Sequence, residues 1–178
     1  ERIPRKYIEA VTNRINQIMQ ETFGECYEMV TAGSYRRGKA ESGDVDLMIC
    51  NNGAFSLQEL AEILIGFGLV VEILALDKKK FMGVGTLTGT KEKQRFYHLD
   101  VYMVERENWW TAIVTHTGPK ELNTQMRAKA ASMGMRLSDH GLILLESSDK
   151  STKKKVKLKS EKDLFNILEM KYEEPTNR

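Results

Sequence analysis

Apolar residues recur every three or four positions between residues 4 and 23, the spacing of one face of an α-helix. The apolar positions on that face are Ile8, Val11, Ile15, Ile18 and Met19. Pro4 suits the first turn, where a residue needs no amide donor. A shorter amphipathic helix is predicted over residues 57–66, where LQELAEILIG ends on glycine.

Several apolar segments between residues 45 and 104 are too short for helices and predict β-strands. They are residues 45–50, residues 69–76 (LVVEILAL), residues 80–87 (KFMGVGTL) and residues 96–104 (FYHLDVYMV). A polar connection, TGTKEKQR, joins the last two. The first part of the chain therefore mixes helices with a sheet, which predicts an α+β fold.

The pattern changes after residues 105–108, and we place a domain boundary there, giving domains 1–106 and 107–178. Residues 117–134 predict a helix with Thr117 as N-cap, Pro119 in its first turn and Gly134 as its stop. Its apolar stripe is Leu122, Met126, Ala130 and Met133. Residues 135–159 predict a β-hairpin around SSDKSTKKK, and residues 160–168 a final helix that opens with a capping serine.

Composition adds little except in the distribution of charge. The 178 residues are 41% apolar and 29% charged, with a net charge of +2, so the chain is globular rather than a polycation. Lysine is clustered, however, in Lys78–Lys80 and in residues 150–162, which hold seven lysines and one glutamate. Such runs are usually solvated surface, and contact with nucleic acid is the alternative.

The cysteines indicate a reducing compartment. Cys26 and Cys50 are isolated, and the sequence has no secretory leader and no long apolar run, so we expect an intracellular protein with free thiols and no membrane segment. The chain begins at Glu1 rather than Met, so we also expect it to be a piece of a longer protein.

The segment 33–49, GSYRRGKAESGDVDLMI, holds two acids at the start of a predicted strand. Alternate residues of a strand share a face, so Asp44 and Asp46 point together while Val45, Leu47 and Ile49 enter a core. In residues 96–104 the same rule puts Asp100 on the face of His98 and Tyr102.

A carboxylate in the centre of an apolar strand is costly unless it has a basic partner or binds a cation. Two strands could bring Asp44, Asp46 and Asp100 together, and Mg²⁺ would relieve their repulsion. The alternative for the Asp44/Asp46 pair alone is a capping or turn role. Asp100 and the Gly-Ser loop before Asp44 make that alternative the weaker one.

The loop before Asp44 offers donors for phosphate groups. Gly33 and Ser34 supply amides and a hydroxyl, Arg37 is a bidentate phosphate ligand, and glycines at 38 and 43 permit close approach of the backbone. Phosphate donors beside carboxylates for metals describe a nucleotidyl-transfer site that works with two metal ions.

The spacing Gly33-Ser34 to Asp44-Val-Asp46 resembles the general nucleotidyltransferase signature, and GSYRRGKAESGDVD resembles family X DNA polymerases, nearest to their beta and lambda members. Further similar segments are RIPR at 2–5, KFMGVGTL at 80–87, HLDVY at 98–102, TG with N and MR at 117–127, GMRLSDHGL at 134–142, SEKDLF and YEEP at 172–175. The resemblance implies a catalytic palm with a mixed sheet over 1–106 and a small α+β thumb subdomain, called fingers in the alternative naming, over 107–178.

Carried over by position, the resemblance implies that Asp44, Asp46 and Asp100 are catalytic and bind two Mg²⁺ ions, with Mn²⁺ as an alternative. The nucleotide-binding residues it implies are Arg2, Gly33, Ser34, Arg37, Gly43, Thr115, His116, Gly118 and Asn123. The implied DNA contacts are His98, Arg127 and, in the lysine-rich segment, Lys153, Lys154 and Lys155.

The sequence departs from the family pattern at three places. His98 stands where an arginine near the primer phosphate is usual, and Thr115-His116 stands where an aromatic pair helps to exclude ribonucleotides. We therefore expect a weaker primer contact and weaker sugar discrimination. Pro119 follows the Thr-Gly pair at a sharp bend, so we predict a cis Gly118–Pro119 peptide bond.

The implied function is DNA-directed gap filling in DNA repair, on primer-template or gapped DNA with a dNTP, by a monomer that is nuclear if the source is eukaryotic. The family's N-terminal lyase and helix-hairpin-helix domain has no counterpart in the sequence. The alternatives are template-independent or ribonucleotide-tolerant addition, and a binding module that has lost catalysis. The connection between the strands that flank Asp100 is about nine residues, which favours use of a template.

Overall fold

The computed structural model describes residues 2–87, 93–145 and 154–178. The chain divides into two compact units, Glu1–Glu105 and Arg106–Arg178. Both combine helices with strands, so the predicted α+β class is confirmed.

The first unit is a five-stranded mixed sheet with helices. Its helices are α1 (Arg5–Phe23), α2 (Gly33–Arg36) and α3 (Leu57–Gly66). Its strands are β1 (Ile3–Pro4), β2 (Glu28–Thr31), β3 (Glu41–Ser42), β4 (Asp44–Cys50), β5 (Val70–Leu76), β6 (Lys80–Thr86) and β7 (Phe96–Met103). The sheet order is β2-β4-β7-β6-β5, in which β4 and β7 are parallel and the other pairs antiparallel. The short strands β1 and β3 pair separately.

The core of this unit forms where the sequence predicts it. All five apolar residues of the α1 face are fully buried, and so are Leu47, Ile49, Leu99 and Val101 of the two parallel strands. Helix α3 has the predicted bounds, and a capping box between Ser56 and Glu59 starts it. Pro4 is the N-cap of α1 rather than a residue of its first turn.

The second unit packs helices with a three-stranded antiparallel sheet. Its helices are α4 (Trp109–Thr117), α5 (Lys120–Ser132) and α6 (Glu161–Ile167), with 3-10 turns at Arg106–Asn108 and Pro175–Asn177. Its strands are β8 (Met135–Ser138), β9 (Gly141–Leu144) and β10 (Lys154–Lys155), in the order β10-β9-β8. The Ser160 hydroxyl accepts from the Asp163 amide and caps α6 as predicted.

The prediction of Thr117 as an N-cap is wrong. Thr117 is the last residue of α4, where its hydroxyl donates to the Ile113 carbonyl. Pro119, expected inside the first turn of α5, is its N-cap. The break between the helices falls at Gly118, which has a φ of 71°, and at a cis Gly118–Pro119 bond, so the predicted cis peptide is confirmed.

The prediction of one hairpin over residues 135–159 is incomplete, because the structure has two strand pairings there. Strands β8 and β9 already form a hairpin through Asp139 and His140. A second antiparallel pairing joins β9 to β10 across residues 146–153, which lie outside the described residues. Within the described residues, no helix combines the length and the apolarity needed to cross a lipid bilayer.

Candidate active site

Three carboxylates meet on two adjacent strands of the first unit. The parallel register of β4 and β7 sets Asp44 beside His98 and Asp46 beside Asp100. Asp44, Asp46 and Asp100 each offer an oxygen, and these oxygens all lie within 4.8 Å of one another. The convergence expected from the alternation of the two strands is therefore present.

The environment of these carboxylates is graded from exposed to buried. Asp44 is exposed, Asp46 is half-buried and Asp100 is buried. Burial, and then the neighbouring charges of Asp44 and Asp100, raise the pKa of Asp46 to about 7. Burial also raises the pKa of Asp100, against the opposing charges of His98 and Lys80. Protonation of these carboxylates is therefore favoured unless a cation binds among them.

One oxygen of Asp100 is buried without a hydrogen-bond partner among the described residues. Its Oδ1 lies 3.3 Å from Nε2 of His98, in a geometry that makes no hydrogen bond. Within residues 2–87, 93–145 and 154–178 neither buried atom has a hydrogen-bond partner. A buried carboxylate oxygen without a partner fits a divalent metal ligand, because oxygen ligands suit Mg²⁺ and Mn²⁺.

Lys80 lies near these carboxylates, although its place in the run Lys78–Lys80 predicts only solvated surface or contact with nucleic acid. It opens β6 opposite Tyr102, and its ammonium lies 5.3 Å from the centre of the Tyr102 ring. Its charge lowers the pKa values of both Asp46 and Asp100. Strand alternation puts Lys80 on the same face of β6 as Met82, and the pairing of Met82 with Asp100, which only the structure gives, brings that face to the carboxylates.

The Gly-Ser loop packs directly against Asp46. The Ala32 amide donates to the Asp46 carbonyl at 2.8 Å, and α2 follows at once. Gly33 has a φ of 65°, and a Cβ there would collide with the Asp46 carboxylate. Glycine is therefore required at 33 both by the backbone angle and by the space.

The predicted phosphate donors surround that loop. The Ser34 hydroxyl donates to the hydroxyl of Ser42, at 2.6 Å, and Ser42 is a buried residue for which the sequence predicted no role. Arg37 is half-buried. A side chain at Gly43 would sit 3.8 Å from the guanidinium of Arg2, so Arg2 lies beside the end of the loop.

Arg5 fixes the shape of the loop from outside. Its guanidinium donates to the Tyr35 carbonyl at 2.6 Å and stacks over the Tyr35 ring at 3.9 Å. Its amide donates to the Ala40 carbonyl at 2.9 Å. Arg5 ends the RIPR segment at residues 2–5, but no pattern in the sequence indicated this role.

The predicted residues of the second unit lie around the junction of α4 and α5. The Asn123 amide donates to the Thr115 carbonyl at 2.8 Å, which fixes its orientation. Arg127 is exposed one turn further along α5. His116 is mostly buried, and its Nε2 lies 3.9 Å from a carboxylate oxygen of Asp139, a residue for which the sequence predicted no role.

The lysines proposed as DNA contacts differ from one another. Lys155 is engaged within the second unit, where its ammonium lies 3.2 Å from Glu107 and 2.8 Å from the Asn108 side chain. Lys154 is exposed, and Lys153 lies outside the described residues.

Comparison with known proteins agrees with this geometry. The family model for the DNA polymerase beta palm matches residues 2–106, and the one for the DNA polymerase beta thumb matches residues 112–178. DNA polymerase lambda of Rattus norvegicus is 29% identical over 192 residues, which cover 100% of this chain and 33% of the relative. DNA polymerase lambda of Arabidopsis thaliana is 26% identical, with coverages of 99% and 36%. The chain thus spans about a third of the length of these curated relatives.

Solved structures are similar over the whole chain. Leishmania infantum polymerase beta in a ternary P/T complex has a TM-score of 0.91 and 27% identity, covering 100% of this chain and 77% of that one. The same protein in a ternary gap complex also has a TM-score of 0.91, with 26% identity and coverages of 100% and 71%.

Proposed function

Because the chain belongs to family X of the DNA polymerases, with a DNA polymerase beta palm followed by a thumb, we propose that it is a template-directed DNA polymerase. It would add a deoxynucleoside monophosphate to a primer 3′-OH and fill short gaps in DNA repair. One observation carries the proposal: three carboxylates meet on parallel strands beside a Gly-Ser loop. Solved complexes of a similar polymerase beta, named ternary P/T and ternary gap complexes, support a nucleic-acid substrate.

The three carboxylates would hold two Mg²⁺ ions, with Mn²⁺ as an alternative. Asp44 and Asp46 would bind both ions, and Asp100 the ion nearer the primer. When bound, two such ions stabilise the attacking and leaving oxygens of an in-line displacement at the α-phosphate. The Asp100 oxygen that lacks a hydrogen-bond partner among the described residues supports this assignment.

Asp100 would also take part in deprotonating the primer 3′-OH, as the base or as the group that lowers the pKa of the hydroxyl. Its raised pKa supports a role in accepting a proton, because an ordinary carboxylate is too weak a base near neutral pH. His98, 3.3 Å away, would contact the primer strand and balance the charge of Asp100.

The loop residues would hold the triphosphate of the incoming nucleotide. Ser34, Arg37, the Gly33 and Gly43 backbone and Arg2 would contact the β and γ phosphates. The Ser34 hydroxyl would exchange its bond to Ser42 for a phosphate oxygen, so the loop needs only a local rotation to bind.

The second unit would act as the thumb and select the nucleotide. Asn123, held by the Thr115 carbonyl, would contact the minor-groove edge of the incoming base, and Arg127 that of the templating base. Thr115, His116 and Gly118 would lie near the sugar. Lys153, Lys154 and Lys155 would contact DNA, with Lys154 the best supported because its side chain is exposed.

The test is extension of a primer in a one-nucleotide gap with each dNTP and Mg²⁺. We expect extension by the parent protein, loss with EDTA and loss in Asp100→Ala. Glu72→Ala removes an exposed carboxylate from β5 and is the matched control that should retain activity. Extension by Asp100→Ala at the parent rate would contradict the catalytic assignment.

The choice of DNA substrate distinguishes template-independent addition from gap filling. We expect extension to require the template strand and to follow its sequence. Equal extension of single-stranded and gapped primers would favour terminal addition instead. Parallel reactions with rNTPs measure how well the protein selects a dNTP over an rNTP with Thr115 and His116 in place of an aromatic pair.

A further inference from the structure

A groove runs along one edge of the five-stranded sheet, between α1 and β2. It is about 480 Å³ in volume, within the range of pockets that hold ligands. Residues of α1 line one side, and Tyr27, Met29 and Thr31 line the side of β2. None of the site residues assigned above lines this groove.

The edge of β2 presents backbone groups to the open side of the sheet. The Ala32 amide donates to the Asp46 carbonyl, which continues the antiparallel pairing of β2 with β4. In such a pair alternate residues bond to the neighbouring strand, so Val30 also faces β4. The N–H and C=O groups of Met29 and Thr31 therefore point away from β4.

These outward groups are available for pairing. Within residues 2–87, 93–145 and 154–178, β4 is the strand that pairs with β2, and no hydrogen bond joins the amides of Met29 and Thr31 to another part of the chain. The opposite edge, β5, is different, because two register shifts interrupt its pairing with β6. Such bulges protect an edge from further pairing. The register of β2 has no shift, so β2 is the edge that can accept another strand.

The wall that α1 forms carries amide side chains. Asn13, Asn16 and Gln20 follow one another at about one helical turn and line the groove. The Tyr27 hydroxyl donates to the Asn16 side-chain oxygen at 2.5 Å, so the two sides of the groove are held together. Amide side chains both donate and accept hydrogen bonds, and addition of an extended peptide to an open strand edge is a recurring mode of recognition. The chemistry of both walls therefore suits a peptide.

The charge around the groove favours a basic partner. Among the described residues that line it, Glu25 is the charged one, and its side chain is exposed. Residues 15–31 hold Glu21, Glu25 and Glu28 and no lysine or arginine. A peptide with lysine or arginine would be attracted to this surface, and an acidic peptide would be repelled.

We propose that the groove between α1 and β2 binds an extended, basic segment of a partner protein, which adds to the sheet beside β2. Met29 and Thr31 would each supply an N–H and a C=O group to the added strand. Glu25 would pair with a lysine or arginine of the segment. The inference does not depend on the proposed function, because none of the residues that carry that function lines the groove.

The probe is a panel of short acetylated peptides in which threonine and valine alternate and one lysine occupies each position in turn. A matched panel carries glutamate instead of lysine. Binding is measured by fluorescence anisotropy with the parent and with Met29→Pro, because proline lacks the outward N–H but is tolerated in an edge strand. Met29→Leu keeps the amide and is the matched control.

We expect at least one lysine peptide to bind the parent and Met29→Leu equally. Met29→Pro should weaken that binding by about tenfold or more. Glu25→Gln should also weaken it, whereas Glu72→Gln, which removes an exposed carboxylate from β5, should not. Failure of every lysine peptide to bind the parent, or tighter binding of the glutamate panel, would overturn the proposal.

Hydrogen exchange of the parent tests the geometry without a substitution. Bound peptide should slow exchange at the amides of Met29 and Thr31 and leave that of Val30, which already faces β4, unchanged. Equal slowing at all three amides, or at none, would overturn the addition of a strand at this edge.

The same measurement identifies a different occupant. Slow exchange of Met29 and Thr31 that appears without peptide and increases with protein concentration would assign the edge to a second copy of the chain and overturn the peptide assignment. Peptide binding that is unchanged in both Met29→Pro and Glu25→Gln would also overturn it. Primer extension by the parent, measured in parallel, tests the proposed function separately.

Discussion

Asp46 and Asp100 lie directly opposite each other on neighbouring parallel strands, and an oxygen of one carboxylate lies within 4.8 Å of an oxygen of the other. Carboxylates this close repel each other, and burial adds to the cost of charging both. Burial, and then the charges of Asp44 and Asp100, raise the pKa of Asp46 to about 7. Below about pH 7 the metal-free site therefore holds a proton that a divalent cation must displace.

Metal binding should accordingly depend on pH. Below about pH 7 the proton on Asp46 competes with the cation, so Mn²⁺ affinity should fall by up to about tenfold per pH unit. Calorimetric titration of the protein without DNA, in buffers of different ionisation enthalpy, measures both the affinity and the proton released. Equal affinity at pH 6 and pH 8 without proton release would contradict the raised pKa of Asp46.

The stability of the metal-free protein should also depend on pH because of the raised pKa of Asp46. Between the ordinary carboxyl pKa near 4 and about 7, the folded chain keeps a proton that the unfolded chain has lost. The free energy of unfolding therefore decreases as pH rises through this range. Asp46→Asn should remove that decrease and stabilise the metal-free protein at pH 8, while abolishing metal-dependent activity.

Urea denaturation of parent and Asp46→Asn at pH 5 and pH 8, with EDTA, measures the difference. Glu72→Gln is the control for removal of an exposed carboxylate. The same dependence on pH in parent and Asp46→Asn would show that Asp46 titrates normally.

Gly33→Ala should disable the site through both its backbone angle and its contact with Asp46. Gly53→Ala is the matched control, because Gly53 also has a positive φ, of 82°, but has open space around its Cβ position. Both substitutions should cost about 1 kcal/mol or more in stability. Only Gly33→Ala should also reduce primer extension at saturating DNA, by tenfold or more, and equal activities would contradict the contact.

Lys155 should contribute to the stability of the second unit and Lys154 should not. The ammonium of Lys155 contacts Glu107 and Asn108, whereas Lys154 is exposed. Lys155→Met should lower the free energy of unfolding by about 1 kcal/mol, and Lys154→Met should leave it nearly unchanged. Thermal denaturation of both variants measures this, and equal melting temperatures would show that the Lys155 contacts add no stability.

Sugar selectivity should rise when the aromatic pair typical of the family is restored. Thr115→Tyr/His116→Phe places two bulky rings near the expected sugar position, and the Thr115 carbonyl that holds Asn123 is retained as backbone. The ratio of kcat/KM for a dNTP over its rNTP should increase by about tenfold or more. An unchanged ratio would mean that these positions do not read the sugar.

Much of the first unit could be predicted because its local patterns agree with its packing. The five apolar residues of the α1 face are all buried, and strand alternation was enough to place Asp44, Asp46 and Asp100 together. The residues that complete the site were missed because their roles depend on pairing between strands. Lys80 reaches the carboxylates only through the register of β6 and β7, and Ser42 meets Ser34 only after the loop closes.

The second unit was harder to predict, for identifiable reasons. Helix α4 has no exposed residue and is rich in aromatic and β-branched residues, so it has no clear amphipathic stripe and no cap signal. Because α4 was not predicted, Thr117 was assigned to the start of a helix, whereas it is the last residue of α4. Strands β8 and β9 are joined by only two residues, Asp139 and His140. The longer polar segment after β9 gives a stronger turn signal, so the prediction placed the turn of the hairpin there.

The carboxylates stand on β4 and β7, which both lie inside the five-stranded sheet, whereas β5 forms one of its edges. Amide hydrogens of interior strands exchange with solvent only in rare, extensive openings, while edge strands open locally and often. Hydrogen exchange should therefore be slowest around Asp46 and Asp100 and fastest along the outer side of β5. The metal ligands would keep their spacing through the small fluctuations that loosen the rim of the sheet, and would lose it only when the unit itself unfolds.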